Sequence, residues 1–421
     1  MISLLAKRLG LSLKAAFLAA LIFGINPMKV ESVAWLTERK DVLYALFYIL
    51  ALFQYWSYLK TKSIASYLGT LLLGFTSILA KPMALSLPLI LFLLDWFEGR
   101  RWDWNVFLEK VPFFLYVVEI GSLSYLFNMR NPVTDMTQGI LTWIWCFDFY
   151  IWKFLWPYHV SFLYPLPQPI ALTNWPYAAS VVMFISILAS LIHWRSNRLL
   201  IFAFAYYFLS IFFILRFDTM REYSVVSDRF MYLPCLGFCL YIGAGLEQCL
   251  RSKILSILIL MLLSFWGWQK FQQCRIWKSS ITFQDELVRQ YPLDFRPYYG
   301  RASAYRALGQ NDLALADYSK AIELQPLRDD IYFYRGGTFF FGMGKYKEAL
   351  GDVNRAIKLN PSNLEAHILR AMIEEKNNDF LSSIKDILFV QHLSGVSFAD
   401  SIERLKKAAQ MARGFSSVTA T

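Results

Sequence analysis

Charged side chains are scarce in this chain: Asp, Glu, Lys and Arg supply 17% of its 421 residues, against 57% hydrophobic and 18% aromatic. With a mean hydropathy of +0.38, that shortage excludes an ordinary soluble protein, in which about a quarter of residues are charged. Cysteine is sparse too. Cys146, Cys235, Cys239, Cys249 and Cys274 show no CxxC spacing and no neighbouring histidine, so no metal site is expected, and most read as buried apolar residues. A basic stripe is missing as well. The net charge of +11 is scattered over the ends of apolar runs, which excludes a nucleic-acid binder and points to membrane orientation.

What is present divides near Lys270. Met1 to Cys274 holds 22 Lys/Arg and 14 Asp/Glu in clusters between long apolar runs, whereas Arg275 to Thr421 holds 20 and 17 in little over half that length. A helix needs about 20 mostly apolar residues to cross a bilayer. Segments near 10–25, 42–59, 65–80, 83–97, 111–128, 176–192, 199–215, 230–246 and 254–270 predict about nine spans, with 140–156, which contains Asp148 and Lys153, as an interfacial helix. Lys7, Arg8, Lys14, Lys60, Lys62, Arg100, Arg101, Lys110, Arg195, Arg198, Arg251 and Lys253 then line the cytoplasmic side if the N-terminus is inside. That arrangement puts residues after 274 in a periplasm or lumen.

The outer turns then carry mixed charge: Lys29, Glu31, Glu38, Arg39, Lys40 and Asp41 in one, Lys81-Pro82 in another, and Arg216 to Pro234 in a third. These charges either mark a water boundary or form a pocket in which Lys or Arg holds a phosphate and a carboxylate accepts a proton. Glu119 stands apart, in the middle of an apolar run. It is either a functional intramembrane carboxylate or a protonated, hydrogen-bonded one.

Beyond Cys274 the pattern is periodic. Pro292, Pro326 and Pro361 lie 34 and 35 residues apart, the tetratricopeptide period. Tyr298, Ala302, Tyr305, Ala314, Tyr318 and Ala321 mark one helix pair, and Phe333, Gly337, Phe340, Ala349 and Ala356 the next. Trp277 to Pro292 reads as half of a preceding copy, Leu364 to Val390 as a terminal copy, and Phe398 to Arg413 as a cap, with Ser416 to Thr421 disordered. The predicted architecture is all-α: a polytopic bundle over 1–274, repeats over 275–395, and a cap and tail over 396–421. Such an array binds a protein or peptide on its concave face, and Tyr298, Arg301, Tyr305 and Tyr334 are its candidates here.

Several motifs occur in a telling order: Asn26-Pro-Met-Lys-Val-Glu-Ser-Val-Ala-Trp, Glu38-Arg-Lys-Asp-Val-Leu, Leu79-Ala-Lys-Pro-Met, Leu94-Asp-Trp, Leu155-Trp-Pro and Ser227-Asp-Arg-Phe-Met-Tyr-Leu-Pro. With the repeats behind them, they resemble the transmembrane and tetratricopeptide-repeat-containing proteins and their bacterial relatives, from residue 11 to about 380. The resemblance implies a C-type glycosyltransferase fold in a bacterial inner membrane or the endoplasmic reticulum. Such a protein takes a sugar from a polyprenyl- or dolichyl-phosphate carrier at the outer face; the animal members mannosylate protein Ser or Thr hydroxyls. It implies Glu31, Glu38, Asp41 and Asp228 as catalytic candidates, and Arg39, Lys81, Arg229 and Tyr232 as carrier-binding ones. Two departures stand out. Asn26-Pro27 replaces the family's His-Pro, and the family's upstream span and acidic outer loop would precede Met1, so a truncated or inactive chain is expected as one alternative. The competing function is a membrane-anchored scaffold whose repeats recruit proteins; a transporter ranks third, because paired inverted halves are missing.

Overall fold

A computed structural model describes residues 1–127, 135–158, 160–215 and 225–418. It divides into two compact units, Met1–Arg275 and Ile276–Thr421, and among the described residues both are helical without strands.

In the first unit, all nine expected apolar segments fall on helices, including Leu13–Ile25, Lys40–Thr61, Ile64–Ala80 and Leu236–Cys249. Fewer are long enough to cross a bilayer. Among the described residues, Leu36–Thr61, Trp175–His193 and Lys253–Ile276 are long and apolar enough to cross a membrane, and Leu13–Ile25 with Pro27–Ala34 forms a fourth candidate bent by 60°. Ile64–Ala80, Pro82–Phe97 and Arg198–Ile211 are shorter apolar helices.

Proline explains two of the breaks. Pro27 and Pro82 cannot donate the backbone N–H that a continuing helix needs. Asn26 caps the first break: its side chain accepts from the Met28 N–H at 3.0 Å and donates to the Phe154 carbonyl at 3.1 Å. At the second, Lys81 is extended, with φ −158° and ψ 131°. Helices elsewhere approach closely through glycine. A Cβ on Gly243 would lie 2.7 Å from the Ala15 carbonyl oxygen, and one on Gly237 would lie 2.6 Å from that of Ala203, the small-residue packing that suits helices in lipid.

The segment expected to be interfacial forms the Met136–Leu155 helix, and one face of it packs into the core. Asp148 is buried there with neither carboxylate oxygen hydrogen-bonded. Glu119, by contrast, lies on the outer surface of the Val111–Phe127 helix. The expected loop residues 216–224 lie outside the described residues.

The second unit pairs Phe295–Ala307 with Asn311–Leu324, Asp329–Gly342 with Tyr346–Leu359, and Leu364–Lys376 with Phe380–Ser394. Ser280–Gln290 is the preceding half copy. Ala399–Val418 is the cap; it runs through Ser416 to Val418, which were expected to be disordered. Ala302, Ala314, Ala321, Ala349, Ala356 and Ala366 are fully buried where helices meet.

The alternation between 34 and 35 residues has a location. Arg301 and Arg335 are 34 apart, but the left-handed turn glycines Gly309 and Gly344 are 35 apart. The extra residue therefore falls between Arg335 and Gly344, where Thr338–Gly342 forms a π turn. A π turn absorbs one additional residue without breaking the helix.

Candidate functional site

The chain breaks around Pro27 and Pro82, together with the turn at Ser227, release charged side chains from regular helices of the first unit. Glu31 sits on the short Val30–Ala34 helix, Glu38 on the Leu36–Arg39 turn, Asp41 in the first turn of Lys40–Thr61, Lys81 between two helices, and Arg229 on the Asp228–Met231 turn. They meet in one network. Arg229 Nη1 lies 2.5 Å from Glu31 Oε1, and the Arg229 backbone N–H donates to Glu31 Oε2 at 3.1 Å. Arg229 Nε is 3.8 Å from Glu38 Oε1, and Lys81 Nζ is 3.3 Å from Glu38 Oε2. Lys81 also pairs with Asp41 Oδ1, whose Oδ2 accepts from the Ser32 hydroxyl at 2.9 Å. Ser32 follows Glu31 in the chain, so the set closes on itself.

Aromatic rings wall this network. The Arg229 guanidinium lies 5.4 Å from the Trp35 ring and 5.1 Å from that of Phe230, and Lys81 Nζ is 5.7 Å from Phe230. Such faces attract cations and lower the local dielectric, which strengthens every charge interaction near them.

Access is uneven. Asp41 is fully buried and the Lys81 side chain is 8% exposed, while that of Arg229 is 19% exposed. Lys40, 3.4 Å from Glu38 Oε1, and Arg39 are exposed at the edge. Three carboxylates thus face Lys81, Arg229 and Lys40, with Arg39 exposed beside them.

Asp228 is adjacent but faces the other way. Its Oδ2 accepts from the Tyr164 hydroxyl at 2.8 Å, and Oδ1 is buried without a hydrogen bond. Burial, and then the nearby Glu31 carboxylate, push its pKa up to about 8, against the pull of Lys153, the Tyr164 hydroxyl and Arg229. At neutral pH the protonated form is therefore favoured. Tyr232 lies next to the network, with its ring edge-on to Phe23 at 5.6 Å.

The structure thus brings Glu31, Glu38, Asp41, Lys81 and Arg229 together, leaves Arg39 at the rim, and sets Asp228 behind. Sequence reasoning missed Ser32 and Tyr164, neutral residues that carry no signal of their own.

A second buried charge group lies farther along the Lys40–Thr61 helix. Asp95 accepts from the Tyr55 hydroxyl at 2.8 Å and pairs with Lys110, both charged side chains being 0% exposed. Arg100 holds Glu109 through two bonds of 2.6 and 2.8 Å, and the Tyr58 hydroxyl donates to Glu109 at 2.6 Å. Asp41 and Tyr55 are fourteen residues apart on one helix, about 21 Å at the helical rise. This group joins helices: its Asp95–Lys110 pair is sealed, while Arg100 and Glu109 at its edge are partly exposed.

In the repeat unit the four candidate face residues are already engaged. Arg301 binds Asp317 through two bonds of 2.7 and 2.8 Å and reaches Asp285 at 2.8 Å. Arg335 repeats this with Asp352 and Ser319, and Arg370 with Asp386 and Asn354. Each arginine ties its own helix pair to the preceding one. The Tyr298 hydroxyl donates to the Pro292 carbonyl at 3.3 Å, as Tyr332 does to Pro326. Tyr305 lies 6.0 Å from the Arg301 guanidinium, and Tyr334 packs edge-on to Tyr299 at 5.6 Å.

Comparison with known proteins agrees with both units. Residues 295–326 and 334–388 match family models of the tetratricopeptide repeat. The human protein O-mannosyl-transferase TMTC1 is 22% identical over 378 aligned residues, covering 74% of this chain and 42% of that protein. The protein O-mannosyl-transferase F38B6.6 of Caenorhabditis elegans is 24% identical over 342 residues, covering 74% and 46%. A solved structure, the first TPR of Spaghetti (RPAP3) bound to an HSP90 peptide, is 21% identical with a TM-score of 0.26, over 27% of this chain and 92% of that one. The chain spans less than half the length of the mannosyl-transferases it matches. Because the matched share exceeds either unit alone, and because the repeats stand where the spacing placed them, the chain is a relative of the transmembrane and tetratricopeptide-repeat-containing proteins.

Proposed function

We propose that the charged network of the first unit receives the phosphate of a polyprenyl- or dolichyl-phosphate sugar, that the sugar passes to a protein Ser or Thr hydroxyl, and that the repeats engage the acceptor polypeptide. One observation supports this most: five charges from segments up to 198 residues apart converge at helix breaks, with Arg229 and Arg39 reachable. In the transfer, the acceptor oxygen bonds to the anomeric carbon as the bond from that carbon to the phosphate oxygen breaks. The phosphate leaves as an anion beside Arg229, Lys81 and Arg39, whose charge stabilises it. The hydroxyl proton passes to a carboxylate. Glu31 and Asp41 are buried and each hold one cation; Glu38, also buried but reached by the exposed Lys40 as well as by Arg229 and Lys81, is the acceptor candidate, and Asp228 supports the turn that carries Arg229.

Purified protein in lipid nanodiscs, offered a labelled polyprenyl-phosphate sugar, should bind it, and Arg229→Ala should weaken binding at least about tenfold, as loss of a charge-assisted contact does. Unchanged binding removes the network from the reading. The proposal also requires the charged turns and the repeats to face one compartment; reporter tags at Arg39 and Leu308 that mark opposite faces would end it.

A second reading, a scaffold without transfer, is favoured by the carboxylates' engagement with cations. Photocrosslinkers at Tyr298 and Tyr334 should then trap a stable partner that carries no added sugar.

A further inference from the structure

Lys29 is a buried cation near the network that the transfer reading leaves unused. Its side chain is buried, with the residue 3% exposed, and no carboxylate lies within ion-pair distance among the described residues. Its ammonium has three protons, and three acceptors surround it: the Met231 carbonyl at 2.9 Å, the Tyr232 carbonyl at 2.5 Å and Cys235 Sγ at 2.8 Å. The Phe23 and Tyr232 rings lie 4.4 and 5.0 Å from Nζ.

All three acceptors belong to one short stretch, the one directly after Asp228 and Arg229. Lys29 itself lies two residues before Glu31. The side chain therefore joins the two segments whose ion pair forms half of the network. Carbonyl dipoles and rings soften the burial of an ammonium, but without a counter-charge that burial costs several kcal/mol. Among its direct partners, only Cys235 can become an anion. Its sulfur accepts from Lys29 and from the thiol of Cys239, one helical turn on, at 3.9 Å; these donors favour a thiolate, against its full burial and its 3.6 Å contact with the Tyr232 carbonyl.

We infer that Lys29 is a positioning residue, fixing the Glu31 turn against the Asp228–Arg229 turn, and that Cys235 serves as its buried thiolate counter-charge. The effect on carrier binding rests on the function proposed above; the link between the two turns does not.

Hydrogen–deuterium exchange on the full chain in nanodiscs tests the link alone. Lys29→Met and Cys235→Ala should each raise exchange across residues 227–235 and leave the repeats unchanged. The double variant should exchange less than the sum of the two, because removing the lysine also removes the charge left stranded by the cysteine. Cys235→Asp, which restores an anion, should recover protection. Unchanged exchange in both single variants, or additivity in the double, overturns the link; should Lys29→Met fail to fold, Cys235→Ala and Cys235→Asp decide it. An infrared S–H stretch that disappears in Cys235→Ser would overturn the thiolate assignment, whereas its absence in the native chain and appearance in Lys29→Met would support it. If the link holds, Lys29→Met should lower affinity for a labelled polyprenyl-phosphate sugar about tenfold, the scale of a misplaced binding group, without changing peptide binding by the repeats. Carrier affinity equal to that of the native chain overturns the positioning role, while a native chain that binds no carrier rejects the proposed function and leaves the exchange result standing.

Discussion

In the repeat unit, Arg301, Arg335 and Arg370 each reach an aspartate sixteen or seventeen residues later, and the same three-helix bridge is built three times. In the apolar unit, Arg229 reaches back 198 residues to Glu31, Lys81 reaches 40 to Asp41, and Lys110 reaches 15 to Asp95. The periodic bridges lie on regular helices and make one copy resemble the next. The aperiodic ones divide into two kinds. Asp95 and Lys110 are sealed and tie helices together, with Arg100 and Glu109 partly exposed beside them, whereas the Glu31–Arg229 group sits on broken chain with Lys40 and Arg39 exposed at its edge. Burial of charge is thus common to both units; what sets the Glu31–Arg229 group apart is that its charges stand at helix breaks with exposed cations beside them.

Breaking the sealed brace should have the largest effect on stability. Lys110→Met leaves the buried Asp95 with only the 3.4 Å contact to Arg100, at a cost of up to about 3–5 kcal/mol, and thermal unfolding in nanodiscs should show it; the Lys110→Met, Asp95→Leu pair should recover most of that loss. If Lys110→Met instead abolished carrier binding in folded protein, the division between brace and site would fail. Arg335→Ala, the middle rung, comes next, at about 1.5–3 kcal/mol for hydrogen bonds to charged groups. Exchange should rise across residues 329–359 while the apolar unit stays protected. Arg229→Ala sharpens the contrast from the other side: a partly exposed pair should cost less stability than the sealed one, yet remove more carrier binding than any brace variant.

Local pattern carried much of this into the sequence. The prolines and alanines of the repeats announced helix pairs because each copy repeats the same small-residue contacts at a fixed period, and the aspartates that bind Arg301 and its successors are periodic too. Arg301 was nonetheless assigned to a ligand face, since a period reveals that a residue recurs and says nothing of what it touches. The charged turns of the apolar unit were found because charge beside an apolar run is conspicuous. Their pairing was hidden, since Glu31 and Arg229 meet only through tertiary packing. Lys110 was read as a marker of the water boundary and is instead fully buried, as charge at a helix end looks alike whether it faces water or a partner. Pro27 and Pro82 fall between expected spans, where they stop the helices and leave Glu31 and Lys81 on broken chain.

The smallest effect distinguishes one rung of the repeat ladder from the others. Four residues after each ladder arginine stand Tyr305, Phe339 and, in the last copy, Glu374. Glu374 Oε2 is buried without a hydrogen bond, and Arg370, 4.0 Å from Oε1, is already held by Asp386. Burial first, and then the Asp386 carboxylate, push the Glu374 pKa up to about 7, against the pull of Arg370. Because the folded value lies above the ordinary carboxylate range, the folded chain retains a proton that the unfolded chain has released. The stabilisation is complete below the unfolded pKa and is lost as pH rises through about 7. Calorimetry between about pH 5 and pH 8 should therefore show the repeat transition fall with rising pH. Glu374→Gln should flatten that slope and raise the midpoint at the alkaline end, whereas substitutions at Tyr305 or Phe339 should leave the slope as it is. A slope that survives in Glu374→Gln would mean that another group titrates, and that the third rung is electrostatically the same as the first two.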